Sequence, residues 1–218
     1  FRAPNFTYSG NFQPKFEWVV DLSKTEEEIL GAIKRGDRYN IKHAEKLGVE
    51  IETIKSVFLR YFDKFYELIS ETSKRDGFNI YPKEYYLNIF KNCEKNKNGF
   101  LNVARYNGEI LLVNLFIVYG DSAFWLFSGS SEKDRQAKYT YLAQWRGIQE
   151  AKKMGLKYYN FGGVESFDKS YKTYRSWAGL SDFKRRFGGS QLEYSDFYDI
   201  VASKFWYAVY LLKKFLGF

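Results

Sequence analysis

The run Phe16–Leu22 (Phe-Glu-Trp-Val-Val-Asp-Leu) has the composition of a β-strand. Ser23-Lys-Thr-Glu26 behind it reads as a capping box, and Ile29, Leu30 and Ile33 give a short amphipathic helix that Gly36 stops. Ile41, Ala44 and Leu47 space a second short helix ending at Gly48. A strand follows over 50–54, and Phe58, Tyr61, Phe62, Phe65, Leu68 and Ile69 then mark one face of a long helix from about Ser56 to Lys74, with Gly77 as its left-handed cap. Beyond a polar loop at 92–98, the turns Asn107-Gly108 and Gly120-Asp121 divide a meander of strands, Phe100–Tyr106, Glu109–Tyr119 and Ala123–Ser128. A loop over 129–135 leads to a helix from Gln136 to Met154, with Tyr141, Leu142, Trp145 and Ile148 inward, and then to a strand from Lys157 to Phe161. The pattern predicts a mixed α/β domain over 16–199, its central sheet mostly antiparallel and flanked by helices, after an arm or linker over 1–15. Residues 200–218 lie in a stretch that is apolar nearly all round and reads as a helix, packed on the domain or lying at a membrane surface.

One segment stands out chemically. Trp177-Ala-Gly-Leu-Ser-Asp-Phe-Lys-Arg-Arg-Phe-Gly-Gly189 sets Lys184, Arg185 and Arg186 between Phe183 and Phe187, with Gly162-Gly163 upstream. Aromatic flanks can anchor such a segment on a core while its cations meet an anion, although a solvated basic loop or helix start has the same composition. Arg38, Tyr39 and Asn40 fall at a predicted helix entrance, where an arginine and free N–H groups can hold an anion; an exposed charged helix is the alternative. Arg75 lies in a last helical turn, where a cation is ordinary helix chemistry. His43, between Lys42 and other polar neighbours, reads as a surface residue.

Composition narrows the partners. A net charge of +8 favours a polyanion such as tRNA, a nucleotide diphosphate or an anionic membrane surface, though a lysine-rich proteome gives the same balance. Aromatic residues make up 21% of the chain, mostly as core rings, with part available to line a groove. The single Cys93 excludes a disulfide framework, and one histidine excludes a metal site or triad built on several. No Gly-x-Ser-x-Gly elbow is present. With no targeting segment or spanning run, the cytoplasm is the expected compartment, extending to the inner face of the membrane, and a chain starting at Phe1 reads as a trimmed segment.

The string from Trp177 to Gly189 resembles the C-terminal signature of the Fem family, peptidoglycan peptidyltransferases that use aminoacyl-tRNA. Arg38-Tyr-Asn-Ile-x-x-Ala-x-x-x-Gly-Val49 and Arg75-Asp-Gly-Phe-x-Ile-x-Pro-x-x-Tyr-Tyr86 are similar to the same family, and the likeness runs from Gln13 to Asp199. The resemblance implies a Gcn5-related acyltransferase fold, whose sheet splays two neighbouring strands to hold an acyl donor. It further implies transfer of an amino acid from aminoacyl-tRNA to the stem peptide of a nucleotide- or lipid-linked peptidoglycan precursor. Lys184 and Phe183 would then form the transfer centre, Arg185 and Arg186 would add phosphate contacts, and Arg38, Tyr39, Asn40, Arg75, Asp76 and Tyr86 would bind substrate. Neither a metal nor an organic cofactor is implied, the charged tRNA being a cosubstrate. Asp182 reads as a partner of Lys184. Fem enzymes usually carry two such domains and this chain resembles the second, so a missing first domain, or a non-catalytic half that binds precursor or tRNA, is also open. An acyl-CoA-dependent N-acyltransferase of the same fold is the rival. Its pyrophosphate loop would fall on Arg135-Gln-Ala-Lys138-Tyr-Thr140, where Lys138 and Thr140 replace the small residues that backbone approach requires.

Overall fold

The computed structural model describes residues 6–8, 13–168, 177–195 and 198–215. In chain order these form β1 (Phe6–Tyr8), β2 (Phe16–Asp21), α1 (Glu26–Ala32), α2 (Arg35–Lys46), β3 (Glu50–Ile54), a 3-10 turn (Phe58–Tyr61) and α3 (Phe62–Asp76). There follow α4 (Lys83–Asn96), β4 (Gly99–Tyr106), β5 (Glu109–Tyr119), β6 (Ser122–Ser130), a second 3-10 turn (Arg135–Ala137) and α5 (Tyr139–Lys153). The chain closes with β7 (Tyr158–Gly163), α6 (Ala178–Arg185), β8 (Ser190–Glu193), β9 (Tyr198–Ile200) and α7 (Lys204–Phe215).

Seven strands form one sheet in the order β3-β4-β5-β6-β7-β2-β8. Every neighbouring pair is antiparallel except β6 and β7. Strands β4 and β5 are buried on both faces along most of their length, so their alternation sorts two cores rather than core from solvent. Phe100 and Ala104 of β4, with Leu112 and Phe116 of β5, face α1, α2 and α5 through Ile29, Ile41, Ala44, Leu142 and Ile148. Leu101, Val103, Val113 and Leu115 face α3 and α4 through Phe65, Leu68, Tyr86 and Phe90. Rings fill both layers: Phe100 stacks on Phe116 at 4.5 Å between centroids, and Phe65 lies 4.9 Å from Phe90. Truncating one such buried ring to alanine costs about 3–5 kcal/mol, so packing accounts for much of the aromatic content.

The parallel pair positions the site. β6 and β7 share a ladder only from Ser122–Phe124 to Tyr158–Asn160. Past that, β6 stays on β5 as far as Ser130 while β7 stays on β2 as far as Gly163. The two strands therefore open like a V towards their carboxyl ends.

Several local expectations shift. The capping box lies two residues later, with the Thr25 hydroxyl accepting from the Glu28 N–H and the Glu28 carboxylate accepting from the Thr25 N–H; Ser23 instead bonds the Asp21 carboxylate. Gly36 does not end α1 but sits in the first turn of α2. The helix expected from Ser56 breaks into the 3-10 turn and α3. The polar loop at 92–98 is mostly the last turn of α4, a helix the polar composition concealed, although Tyr86, Phe90 and Cys93 carry its buried stripe. β1, within the expected arm, pairs with β9 in a separate two-stranded ribbon, so the C-terminal helix begins only at Lys204. α7 leaves Phe205, Trp206, Leu212 and Phe215 exposed. Among the described residues no helix is long and apolar enough to cross a membrane.

Candidate active site

The mouth of the V is furnished from both strands and from α6. On β6, Leu115 pairs with Phe127 but Phe116 with Trp125, so Leu126 is an extra residue. Such a bulge re-aims the neighbouring side chains. The Trp125 indole N–H donates to the carboxamide oxygen of buried Asn114 at 3.2 Å, and its ring packs against Phe161 and Phe183. On β7, Gly162 takes φ 74°, a left-handed conformation that glycine adopts without the Cβ penalty. Its N–H donates to the side-chain oxygen of Asn160 at 2.7 Å. That contact turns the strand end and presents the carbonyl of Gly163.

α6 delivers Lys184 to this carbonyl. Phe183 and Phe187 pack on Tyr141 and on each other, pinning the helix to the first core. Ser181 is buried and accepts the N–H of Glu165 at 2.9 Å. With those residues inward, the intervening Lys184 is also forced inside. It is 5% exposed, donates to the Gly163 oxygen at 2.6 Å and lies 5.8 Å from the centre of the Trp125 ring. Burial drags its ammonium down from the usual lysine range to about 8, opposed by the negative charge of Glu17.

Glu17 projects from β2, on the opposite side of that strand from the core residues Phe16, Trp18 and Val20. One carboxylate oxygen accepts from the Asn160 amide at 2.6 Å and from the Tyr194 hydroxyl at 2.8 Å. Burial, reinforced by that bond to Glu17, pushes the Tyr194 phenol up to about 12. Asn160 thus ties Glu17 on one side to Gly162 on the other, and the same β7 end carries the Lys184 contact.

The remaining residues singled out in the sequence fall into separate places. Phe183 stands beside Lys184. Arg185 turns away, bonding the Glu165 carbonyl and stacking its guanidinium 4.3 Å from the Phe167 ring centre. Arg186 turns another way, to Asp182 at 2.6 Å and Asp37 at 3.6 Å. Asp182 therefore pairs with Arg186 and Lys34 rather than with Lys184, because residues four apart share a helix face and residues two apart do not. At that seam Asn40 also donates to Asp37 at 3.2 Å. Arg38 donates to the carbonyls of Gly31 and Ile33, closing the end of α1, and exposed Tyr39 stacks on His43. Because α2 begins at Arg35, these three residues lie past its first turn, and the Arg38 N–H is already spent on the Lys34 carbonyl. Arg75 reaches the other lip of the V: it donates to the carbonyl of Ser130 at 3.2 Å and grips Asp76 with two bonds of 2.8 and 2.9 Å. Tyr86 is buried among Phe65, Phe127 and Tyr81 and accepts the Tyr81 N–H through its hydroxyl. Lys184 and Arg75 thus stand at the carboxyl ends of the two diverging strands, whereas Asn40 and Arg186 meet through Asp37 where α2 meets α6, and Arg38 and Tyr39 stay with α1 and α2.

Glu17, Asn160, Tyr194, Trp125 and Asn114 were not singled out by sequence pattern. A signal existed for three of them: Glu17, Asn114 and Asn160 interrupt runs that are otherwise apolar or aromatic.

Comparison with known proteins agrees with this architecture. The lipid II:glycine glycyltransferase of Staphylococcus haemolyticus (strain JCSC1435) is 23% identical over 81% of the chain and 56% of its own length. The enzyme of the same name from Staphylococcus aureus is 26% identical over 45% of the chain and 25% of its length. The chain therefore spans little more than half of such relatives. Among solved structures, FemX superimposes with a TM-score of 0.83 over 94% of this chain and 68% of its own, at 18% identity. L-PGS from Bacillus licheniformis gives 0.59 over 98% of this chain and 68% of its own, at 16% identity. Both share the fold. A family model described as FemAB matches residues 1–109 and 93–214. With its splayed mixed sheet and the segment carrying Lys184, the chain belongs to the FemAB family.

Proposed function

We propose that this chain carries the transfer centre of an aminoacyl-tRNA-dependent aminoacyltransferase that adds an amino acid to the stem-peptide amine of a peptidoglycan precursor. The observation that carries this reading is Lys184, a buried ammonium at the mouth of the V, one N–H of which is committed to the Gly163 carbonyl.

The chemistry asks for little more. The donor is already an activated ester and the acceptor is itself the nucleophile. In the transfer step the acceptor nitrogen forms a bond to the ester carbonyl carbon, and the carbonyl oxygen becomes an oxyanion. The intermediate then expels the ribose oxygen, and the proton lost by the nitrogen balances the one gained by the departing hydroxyl. An ammonium has three N–H donors, so two remain after Gly163 takes one. Aimed at the oxyanion in a water-poor cleft, such a donor contributes about 3–4 kcal/mol of transition-state stabilisation. Trp125 and Phe183, beside Lys184, would wall the cleft and help hold ester and amine together. Arg75 would meet precursor phosphate from the opposite lip, with Asp76 orienting its guanidinium. Arg185 and Arg186 would serve the tRNA backbone, and the α2 seam with Arg38, Tyr39 and Asn40 would extend the substrate surface. Tyr86 would act through the Tyr81 segment it holds.

The deciding assay offers charged tRNA with nucleotide-linked and lipid-linked precursors, and acetyl-CoA with simple amines in parallel, to wild type and Lys184→Met. Transfer from tRNA that collapses in the variant is the expected result. Transfer from acetyl-CoA alone overturns the reading in favour of a CoA-dependent enzyme. Silence with both donors, alongside binding of precursor or tRNA, overturns it in favour of a binding module.

A further inference from the structure

We propose that Glu17 is a positioning residue for Lys184, acting through a Tyr194–Glu17–Asn160 chain that fixes the end of β7 and supplies the countercharge of the buried ammonium. This inference deepens the reading above and rests on it for its catalytic consequence, but not for its structural one.

Three observations carry it. First, the Glu17 carboxylate is bonded from two sides, by Asn160 and by Tyr194. A carboxylate held by two donors is fixed in place. Second, Asn160 spends its other end on the Gly162 N–H, the turn that directs the Gly163 carbonyl at Lys184. The same three residues therefore set both the position and the electrostatics of the lysine. Third, the other charged side chains of α6 next to Lys184 are engaged elsewhere. Asp182 on its own helix is held by Arg186 and Lys34, and Arg185 is turned to the Glu165 carbonyl and the Phe167 ring. From β6 the neighbour is the uncharged Trp125 ring, and from the strand end the Gly163 carbonyl. Among the described residues, Glu17 is the acidic group whose charge acts on Lys184, and it opposes the downward pull of burial.

The sign follows. Removing the negative charge favours the neutral amine, so Lys184 loses its proton at lower pH. A step that needs the ammonium then fails earlier as pH rises. Glu17 touches neither ester nor amine in this scheme, so its loss changes the ionisation of Lys184 without removing it.

The test uses Glu17→Gln, Glu17→Asp, Asn160→Ala and Tyr194→Phe, each checked for a cooperative thermal melt. The pH dependence with which an amine-reactive reagent labels Lys184 is read by peptide mapping, beside the pH profile of transfer. In Glu17→Gln the labelling midpoint should fall by about one pH unit, and the alkaline limb of kcat should fall with it. Glu17→Asp should recover part of the shift, and Tyr194→Phe should move it less than Glu17→Gln. An unchanged labelling midpoint in a folded Glu17→Gln protein overturns the proposal, even if Lys184→Met is inactive. Conversely, a shifted midpoint in a protein whose Lys184→Met variant transfers normally sustains the Glu17–Lys184 coupling and overturns only the catalytic reading. Should Glu17→Gln fail to melt cooperatively, Asn160→Ala decides instead: an unmoved midpoint there also overturns the proposal, and a lowered one supports it.

Discussion

The Lys184 ammonium donates to the carbonyl of Gly163 across 2.6 Å, and so places a buried cation at the open end of the splayed strands β6 and β7. A backbone carbonyl holds the charge without neutralising it, as a carboxylate in direct contact would. Position and protonation are thereby coupled: the end of β7, tied to Glu17 through Asn160, fixes where the nitrogen is, while burial lowers its pKa and the Glu17 charge opposes that shift.

The first consequence is a pH profile. Burial lowers Lys184 to about 8, so the ammonium is the main form at pH 7 and is lost as pH rises through 8. If transfer needs the charge, kcat should decline by roughly tenfold per pH unit well above that point. In Lys184→Met the rate at pH 7 should fall by about 10²–10³ and the alkaline limb should disappear. A limb that persists in the variant would assign it to another group.

The same burial has an opposite effect on stability. The folded-state value of Lys184 lies below the 10.5 of an ordinary lysine, so the unfolded chain binds more protons between about 8 and 10.5. Stability from this group therefore rises with pH across that window and is lowest beneath it. The span corresponds to about 3 kcal/mol at neutral pH. Methionine at this position escapes that cost but leaves the Gly163 carbonyl without its donor, a loss of about 1 kcal/mol. Lys184→Met should accordingly melt at or above the wild-type temperature at pH 7, and the difference should shrink by pH 10.5. A lower melting temperature at pH 7 would mean that packing around the lysine outweighs its desolvation.

Arg75 carries a second expectation. Its planar fork spans Asp76 and the carbonyl of Ser130, latching the end of α3 to the carboxyl end of β6. Lysine keeps the charge but cannot reproduce that geometry. Arg75→Lys should raise amide hydrogen exchange in residues 73–78 and, under the proposed role of Arg75 at precursor phosphate, raise KM for the precursor more than it lowers kcat. Equal losses in kcat and kcat/KM would instead tie Arg75 to the transition state.

The parts of the molecule that were legible in the sequence are those set by neighbours in the chain. The β4–β5 hairpin announced itself because Asn107 and Gly108 both favour the positive φ the turn requires, at 51° and 79°. Lys184 was legible through the family signature, and the aromatic residues on either side of it do anchor α6. Glu17 was not, because its role depends on β2 inserting between β7 and β8, which brings it to Asn160, 143 positions away in the chain. Local periodicity carries no information about that crossover. The seam of Asp37, Asn40 and Arg186 was hidden for a similar reason: it depends on α2 starting at Arg35, one turn earlier than its apolar spacing suggested.

A last prediction addresses how β8 is held against β2, since Tyr194 just beyond β8 reaches Glu17 only if that pairing is intact. Gly189 precedes the strand at φ 93°, and a Cβ there would lie 2.3 Å from the carbonyl oxygen of Val19 and 2.9 Å from its carbon. Both obstacles are backbone atoms of a strand paired on both sides, so neither can swing aside. Gly189→Ala should therefore cost at least about 2 kcal/mol by combining a left-handed backbone with a clash. It should also lower the labelling midpoint of Lys184 by loosening Glu17. Gly179→Ala is the matched control, since that glycine lies in α6 with nothing within 4 Å of its Cβ position. There alanine should stabilise by about 0.5–1 kcal/mol, through its better helix propensity. Urea melts of the two variants, run with Lys184 labelling, separate the local clash from a general intolerance of the signature segment: equal destabilisation of both would refute a specific role for the β2–β8 pairing.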